Sequence, residues 1–251
     1  MEGDEKKPLM SHLEELRKRL IACAVAVGVC FVGTYAFSEK LFMVLASPLK
    51  RQLPEGDRLI FTNLPEMFFV YLKTALVGAL LLAAPFIFYQ VWMFVAPGLY
   101  RHEKRYVFPF VFFSTILFVG GALFGYFVVF PFGFHFFLGF ASEYIQALPS
   151  AKQYFSLSIK LLFGFGVIFE LPIVAFFLGR MGMISAEFLR KQRKFAILLL
   201  FALSAILTPP DVITQLMMAG PLLVLYEMSV IIVKVSGKKK AAPETEEGEK
   251  G

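Results

Sequence analysis

Six apolar runs, each bounded by charged or turn-forming residues, govern what this chain can become: Leu20 to Phe37, Met67 to Val95, Tyr106 to Phe137, Tyr154 to Gly179, Phe195 to Leu207 and Val212 to Val233. About 20 apolar residues cross the hydrocarbon of a bilayer as a helix. In lipid, only a helix lets an open-ended backbone satisfy its own polar groups. The runs therefore predict an all-α integral membrane protein with six transmembrane helices. Composition agrees: of 251 residues, 58% are hydrophobic, 31 are Phe and only 18% are charged. Such a balance excludes a soluble globule and a disordered chain. The second and third runs are longer than a bilayer needs and should tilt, bend or project from it. The fifth, at 13 residues, reaches only about 20 Å as a helix. That shortfall predicts local thinning of the bilayer, or water access, around the fifth and sixth helices.

Sidedness follows from Lys and Arg in the connections. Taking alternate connections together, eighteen basic residues fall on the side of the termini and five on the other. Both termini are therefore expected in the cytoplasm, and the net charge of +6 is an orientation signal rather than a mark of nucleic-acid binding. Residues 1–19 are too charged, and followed by too many spans, to be a cleaved leader. The expected organisation is an N-terminal cytoplasmic segment (1–19), one membrane domain (20–235) and a flexible charged tail (236–251). The two cysteines, Cys23 and Cys30, lie about 10.5 Å apart along one helix and beyond disulfide reach. Leu41 to Leu49 reads as a short helix across the outer face, closed by Pro48. Pro85, Pro131, Pro172 and Pro221 each remove a backbone donor within a span and predict bends in a concave bundle. Gly121 and Gly125 form a GxxxG pair, expected to pack against another helix of the same chain.

No phosphate-binding loop, HExxH, GxSxG or CxxC pattern occurs, so enzymatic chemistry has no visible seat and no cofactor is expected. His12, His102 and His135 are far apart and lack neighbours at ligand spacing, so no metal site is expected. Glu15 and Glu103 each sit among bases near the ends of the first and third spans. Local ion pairing explains either one. A ligand reading requires the two carboxylates to converge, where they would accept the planar forks of two arginines better than two lysines. Glu170 lies near the middle of the fourth span, where an ionisable group points to function by default. Glu227 is expected to make a structural hydrogen bond. Thr208-Pro209-Pro210-Asp211 fits a T-x-x-D cap at the start of the sixth span, with proline at the first helical position. Glu170 alone would also suit a proton or ion relay in a secondary transporter, although no inverted repeat is visible. A scaffold without a ligand site is the third reading.

Several blocks in fixed order sharpen these alternatives: HLEELRKRL (12–20), SPL (47–49), YQVWMFVAPGLYRHEKR (89–105), YFVVFP (126–131), Phe165 to Pro172, and LTPPDVITQ (207–215). Together they resemble TatC, the multispanning subunit family of the twin-arginine protein translocase, over nearly all of residues 8–235. The resemblance implies a glove-shaped concave bundle with kinked helices, the fifth and sixth of them short, in the cytoplasmic (inner) membrane. It also implies a receptor for the twin-arginine signal peptides of folded proteins, with export driven by the proton-motive force. On that resemblance Glu15 and Glu103 match the acidic pair that takes the arginines, while Arg17, Leu20 and Phe94 belong to the recognition region. Pro48 belongs to the outer cap, with Pro85 and Asp211 as further structural positions. Glu170 matches the polar residue within the concave face, and Thr208 with Gln215 the polar cluster that meets single-span partners of the TatA and TatB type, within a complex holding several copies of the chain.

Overall fold

The computed structural model describes residues 6–54, 57–95, 107–142, 144–208 and 211–236. In chain order the helices are α1 (Lys6–Ala36), α2 (Ser38–Lys50), α3 (Glu66–Val95), α4 (Val107–Phe124), α5 (Phe130–Leu138), α6 (Ala151–Phe169), α7 (Leu171–Arg180), α8 (Ala186–Lys191), α9 (Arg193–Leu207) and α10 (Val212–Ser236). Among the described residues, five stretches are long and apolar enough to span a bilayer: Met10–Ala36, Glu66–Phe94, Phe108–Leu138, Ala151–Arg180 and Val212–Ser236. The fifth apolar run folds as α9, whose 15 residues reach only about 22 Å. Its neighbour corrects an expectation, because α10 has 25 residues and a full membrane-crossing length. The apolar run continues past Val233 through Lys234 to Ser236, and the flexible stem of a terminal lysine lets its charge leave the lipid.

Two of the four span prolines mark interruptions. A π-helical turn, Gly125–Val129, joins α4 to α5 just before Pro131. The wider turn accommodates a residue that cannot donate to the preceding turn. At Pro172, in the first turn of α7, the fourth span breaks between Phe169 and Leu171. Pro85 and Pro221 lie inside continuous helices, so the loss of a single bond is absorbed there without a break. Pro172 and Pro221 both line an apolar hollow of about 940 Å³ that α4, α7 and α10 enclose with Phe110, Phe113 and Phe176.

Packing follows the small residues. A side chain built on Gly121 would meet the Phe165 carbonyl oxygen at 2.5 Å, and one on Gly125 would meet the Phe165 ring at 3.3 Å. The GxxxG face of the third span is therefore buried against α6 of the same chain, as expected. Phe130, Phe155, Phe165, Met218 and Leu222 are fully buried at the centre. A second cluster forms where Trp92 stacks on Phe110 (4.7 Å) and meets Phe177 edge-on (5.0 Å). Cys23 and Cys30 are free thiols.

The short helix expected in the first loop is α2, and Pro48 is buried within it. Proline at 48 leaves the carbonyl four residues earlier, on Val44, without its helical donor. The Tyr126 hydroxyl supplies one at 2.7 Å, and the Tyr154 hydroxyl donates to the next carbonyl, on Leu45, at 2.6 Å. Pro48 thereby turns a helix defect into an anchor on the π-helical turn, and Tyr154 on α6 adds a second anchor beside it. A further latch is Glu66, which is 5% exposed. Its carboxylate accepts from Thr62 N (3.0 Å), Asn63 N (3.4 Å), Ser150 Oγ (3.0 Å) and Lys152 N (3.0 Å). Lys152 N is one of the free donors in the first turn of α6, so Glu66 caps that helix from a different part of the chain. Reciprocal bonds between Ile60 and the Pro149–Ala151 backbone complete the junction of the two loops.

Candidate functional site

Helices α1 and α3 run antiparallel, with contacts from Thr34–Ala75 to His12–Phe94. The Thr34 hydroxyl donates to the Ala75 carbonyl at 2.7 Å near one end. Near the other, Arg19 Nη1 donates to Gln90 Oε1 at 3.0 Å, and the His12 and Phe94 rings stack with centroids 4.3 Å apart. Glu15 sits between those two contacts, one turn from each. Arg19 Nε (3.0 Å) and Nη2 (2.5 Å) both converge on Glu15 Oε1. The result is a carboxylate holding a guanidinium fork beside an imidazole–phenyl stack, with Arg19 20% and Glu15 36% exposed.

The structure brings Glu15 and Phe94 together and separates them from the other two α1 positions. Arg17 and Leu20 lie about 160° and 140° around the helix from Glu15, and both are exposed, Leu20 at 67%. Glu103, the expected second carboxylate, lies outside the described residues. Gln90 was missed in the sequence because a single amide inside a helix of aromatic residues carries no motif; only the α1–α3 register makes it a partner of Arg19.

Glu170 occupies the break between α6 and α7, with backbone angles of −73° and −16°. Its Oε1 is buried without a partner, and Ser114 on α4 is a neighbour of its carboxyl. Ser114 is fully buried and accepts from Trp92 Nε1 at 3.2 Å. Three helices thus meet at one polar line inside an apolar bundle. Trp92 and Ser114 had no signal in the sequence beyond being polar atoms in apolar runs.

The remaining candidates are engaged locally. Thr208 is buried and donates to the Ser204 carbonyl at 2.9 Å, closing α9. The Gln215 amide donates to the Phe201 carbonyl at 3.2 Å, while Ser204 Oγ donates to the Gln215 carbonyl at 2.8 Å, so the pair clamps α9 to α10. Asp211 corrects the capping register. It precedes α10, accepts from Thr214 N at 2.7 Å and also from the Thr214 hydroxyl. It is the cap itself rather than the third residue of the helix, while Thr208 ends the preceding one. A carboxylate one residue outside the first turn reaches the free donors directly, which a side chain already inside the turn does not. Glu227 forms an ion pair with Arg193 at 2.5 Å, with both side chains about half exposed; it joins α9 to α10, the structural role expected for it.

Residues 11–221 match the family described as Sec-independent protein translocase protein (TatC). The chain is 54% identical over 246 residues to the TatC of Desulforapulum autotrophicum, covering 98% of this chain and 91% of that one. To the TatC of Escherichia coli K12 it is 39% identical, covering 92% of this chain and 89% of the relative. Among solved structures it is similar to a crystal structure described as twin arginine translocase receptor TatC, with a TM-score of 0.82 and 40% identity over 90% of this chain and 99% of that one. Fold, blocks and length agree along the chain. It belongs to the TatC family, and is an all-α, multi-pass membrane subunit of a Sec-independent protein translocase, a transport component rather than an enzyme.

Proposed function

We propose that this subunit is the receptor for twin-arginine signal peptides of folded proteins. The docking surface is the start of α1 together with the end of α3, with Glu15 and Glu103 as the acidic pair and Phe94 beside them. The observation that carries the reading is the state of Glu15, which already holds an arginine fork through two donors on one oxygen. A site that grips one guanidinium has the chemistry to grip another. Arg17 and Leu20, on the far face of α1, are assigned to the wider surface met by the rest of the peptide or by a partner subunit.

The charge asymmetry supports an inner-membrane protein with both termini in the cytoplasm and the α2 cap outside. A single domain over 20–235 carries the function, between the N-terminal segment and the charged tail. Folded cargo cannot pass through a bundle of this size. The route must come from assembly with TatA- and TatB-type single-span subunits and further copies of this chain, driven by the proton-motive force. Glu170, Thr208 and Gln215 are assigned to that assembly. Thr208 and Gln215 act through the α9–α10 clamp, and Glu170 through its unpartnered oxygen.

Photo-crosslinkers at positions 12 and 94 test the receptor reading. An Arg-Arg signal peptide is expected to label both strongly and a Lys-Lys counterpart weakly. Equal labelling by the two peptides would remove the twin-arginine assignment. Glu170→Ala is expected to leave peptide binding intact while lowering partner co-purification or transport into inverted vesicles. Normal transport and assembly in that variant would strip Glu170 of its role.

A further inference from the structure

We infer that Arg19 is a built-in competitor for the Glu15 carboxylate: in the resting protein its guanidinium occupies the site that an incoming arginine must take, and Gln90 holds it there. The inference deepens the receptor reading and rests on it. Arg19 lies one turn after Glu15 on the same helix, and its Nε and Nη2 both bond Oε1 while Nη1 bonds Gln90 Oε1. All three guanidinium nitrogens are therefore spent, two on the carboxylate and one on the neighbouring helix. Two features suit a competitor rather than a fixed strut. A four-residue helical ion pair is intrinsically weak, so a ligand bringing two guanidinium groups can displace it. Once displaced, Arg19 can swing on its long stem without disturbing the backbone, since its side chain, though mostly buried, keeps a 20% opening to its surroundings.

Self-occupancy has a quantitative signature. A ligand that binds only the free carboxylate shows its intrinsic dissociation constant divided by the fraction of molecules in which that carboxylate is free. The divisor is the same for every ligand of the site. Arg19 therefore lowers the affinity of all cationic peptides together and leaves the preference for Arg-Arg over Lys-Lys untouched. It raises the threshold for binding, so that only ligands with enough further contacts dock.

The test is equilibrium binding of a fluorescent Arg-Arg signal peptide and its Lys-Lys counterpart to the full chain in lipid nanodiscs. Arg19→Gln is expected to bind both peptides about 3- to 10-fold tighter, with their ratio unchanged. Arg19→Lys, which keeps the charge and loses the fork, should fall between the parent and Arg19→Gln. Gln90→Leu should tighten binding in the parent and add nothing when Arg19 is already Gln. Unchanged or weaker binding in Arg19→Gln, or a fall in the preference for Arg-Arg, overturns the inference. Glu15→Gln separates the two possible failures. If it leaves affinity unaltered, the receptor assignment of Glu15 falls; if it weakens binding while Arg19→Gln weakens it as well, only the competitor role falls.

Discussion

Replacing Gly121 by alanine is expected to destabilise the protein by about 1–3 kcal/mol, and replacing it by leucine to prevent a stable bundle from forming. The added methyl would lie 2.5 Å from the Phe165 carbonyl oxygen, 2.9 Å from its carbon and 2.8 Å from the Phe169 ring. The first two obstacles are backbone, which cannot rotate aside, so α4 and α6 must separate. Separation also loosens Phe165, one of the fully buried side chains at the centre. Gly120 and Gly125 are the controls. A methyl at Gly120 meets nothing within 4 Å, whereas at Gly125 it meets the Phe165 ring at 3.3 Å. Gly120→Ala should be neutral or slightly stabilising, because alanine favours the helix by up to about 1 kcal/mol over glycine, and Gly125→Ala should be intermediate. Thermal unfolding in detergent reads the order directly. Equal midpoints for Gly120→Ala and Gly121→Ala would show that α4 and α6 do not meet at this face.

The largest functional effect is expected at Glu15. Truncating one partner of a hydrogen-bonded charge pair at an interface costs about 2–5 kcal/mol when the pair is desolvated. Glu15 retains about a third of its exposure, so the lower part of that range applies, and Glu15→Ala should weaken an Arg-Arg signal peptide by about 30- to 100-fold at tenfold per 1.4 kcal/mol. Glu15→Lys, which adds repulsion, should weaken it further. Glu103→Ala should produce a loss of similar size if both carboxylates grip one ligand, and the double variant should lose less than the two single losses combined. Assembly of the membrane complex should survive Glu15→Ala, because the Glu15 side chain is partly exposed and lies outside the buried helix core. Binding isotherms with unaltered affinity in both single variants would remove the acidic-pair assignment.

Much of this architecture is legible along the chain. The spans at Glu66–Phe94 and Phe108–Leu138 coincide with apolar runs because membrane insertion depends on local, additive hydrophobicity. The short helix containing Pro48 is legible from its own residues, whereas for Gly121 and Glu227 only the kind of role was legible and the partners, Phe165 and Arg193, came from the packing. The capping register of Asp211 was not. Thr208 and Asp211 can each serve as a cap, and where α9 stops decides which helix each belongs to. Glu66 was also invisible, since a glutamate before an apolar run reads as an ordinary solvated start of a helix.

Sequence alone determined that the chain is a bundle of membrane helices, how many apolar segments it has, roughly where they lie, and which connections carry the positive charge. Those properties are fixed by the solvent each segment can tolerate. Tertiary structure decided the partners of the polar groups: Gln90 lies 71 positions from Arg19, Val44 lies 82 from Tyr126, Lys152 lies 86 from Glu66 and Leu45 lies 109 from Tyr154. A hydrogen bond needs its donor and acceptor within about 3 Å in the right direction, and over such separations only the packed register of the helices can bring them there.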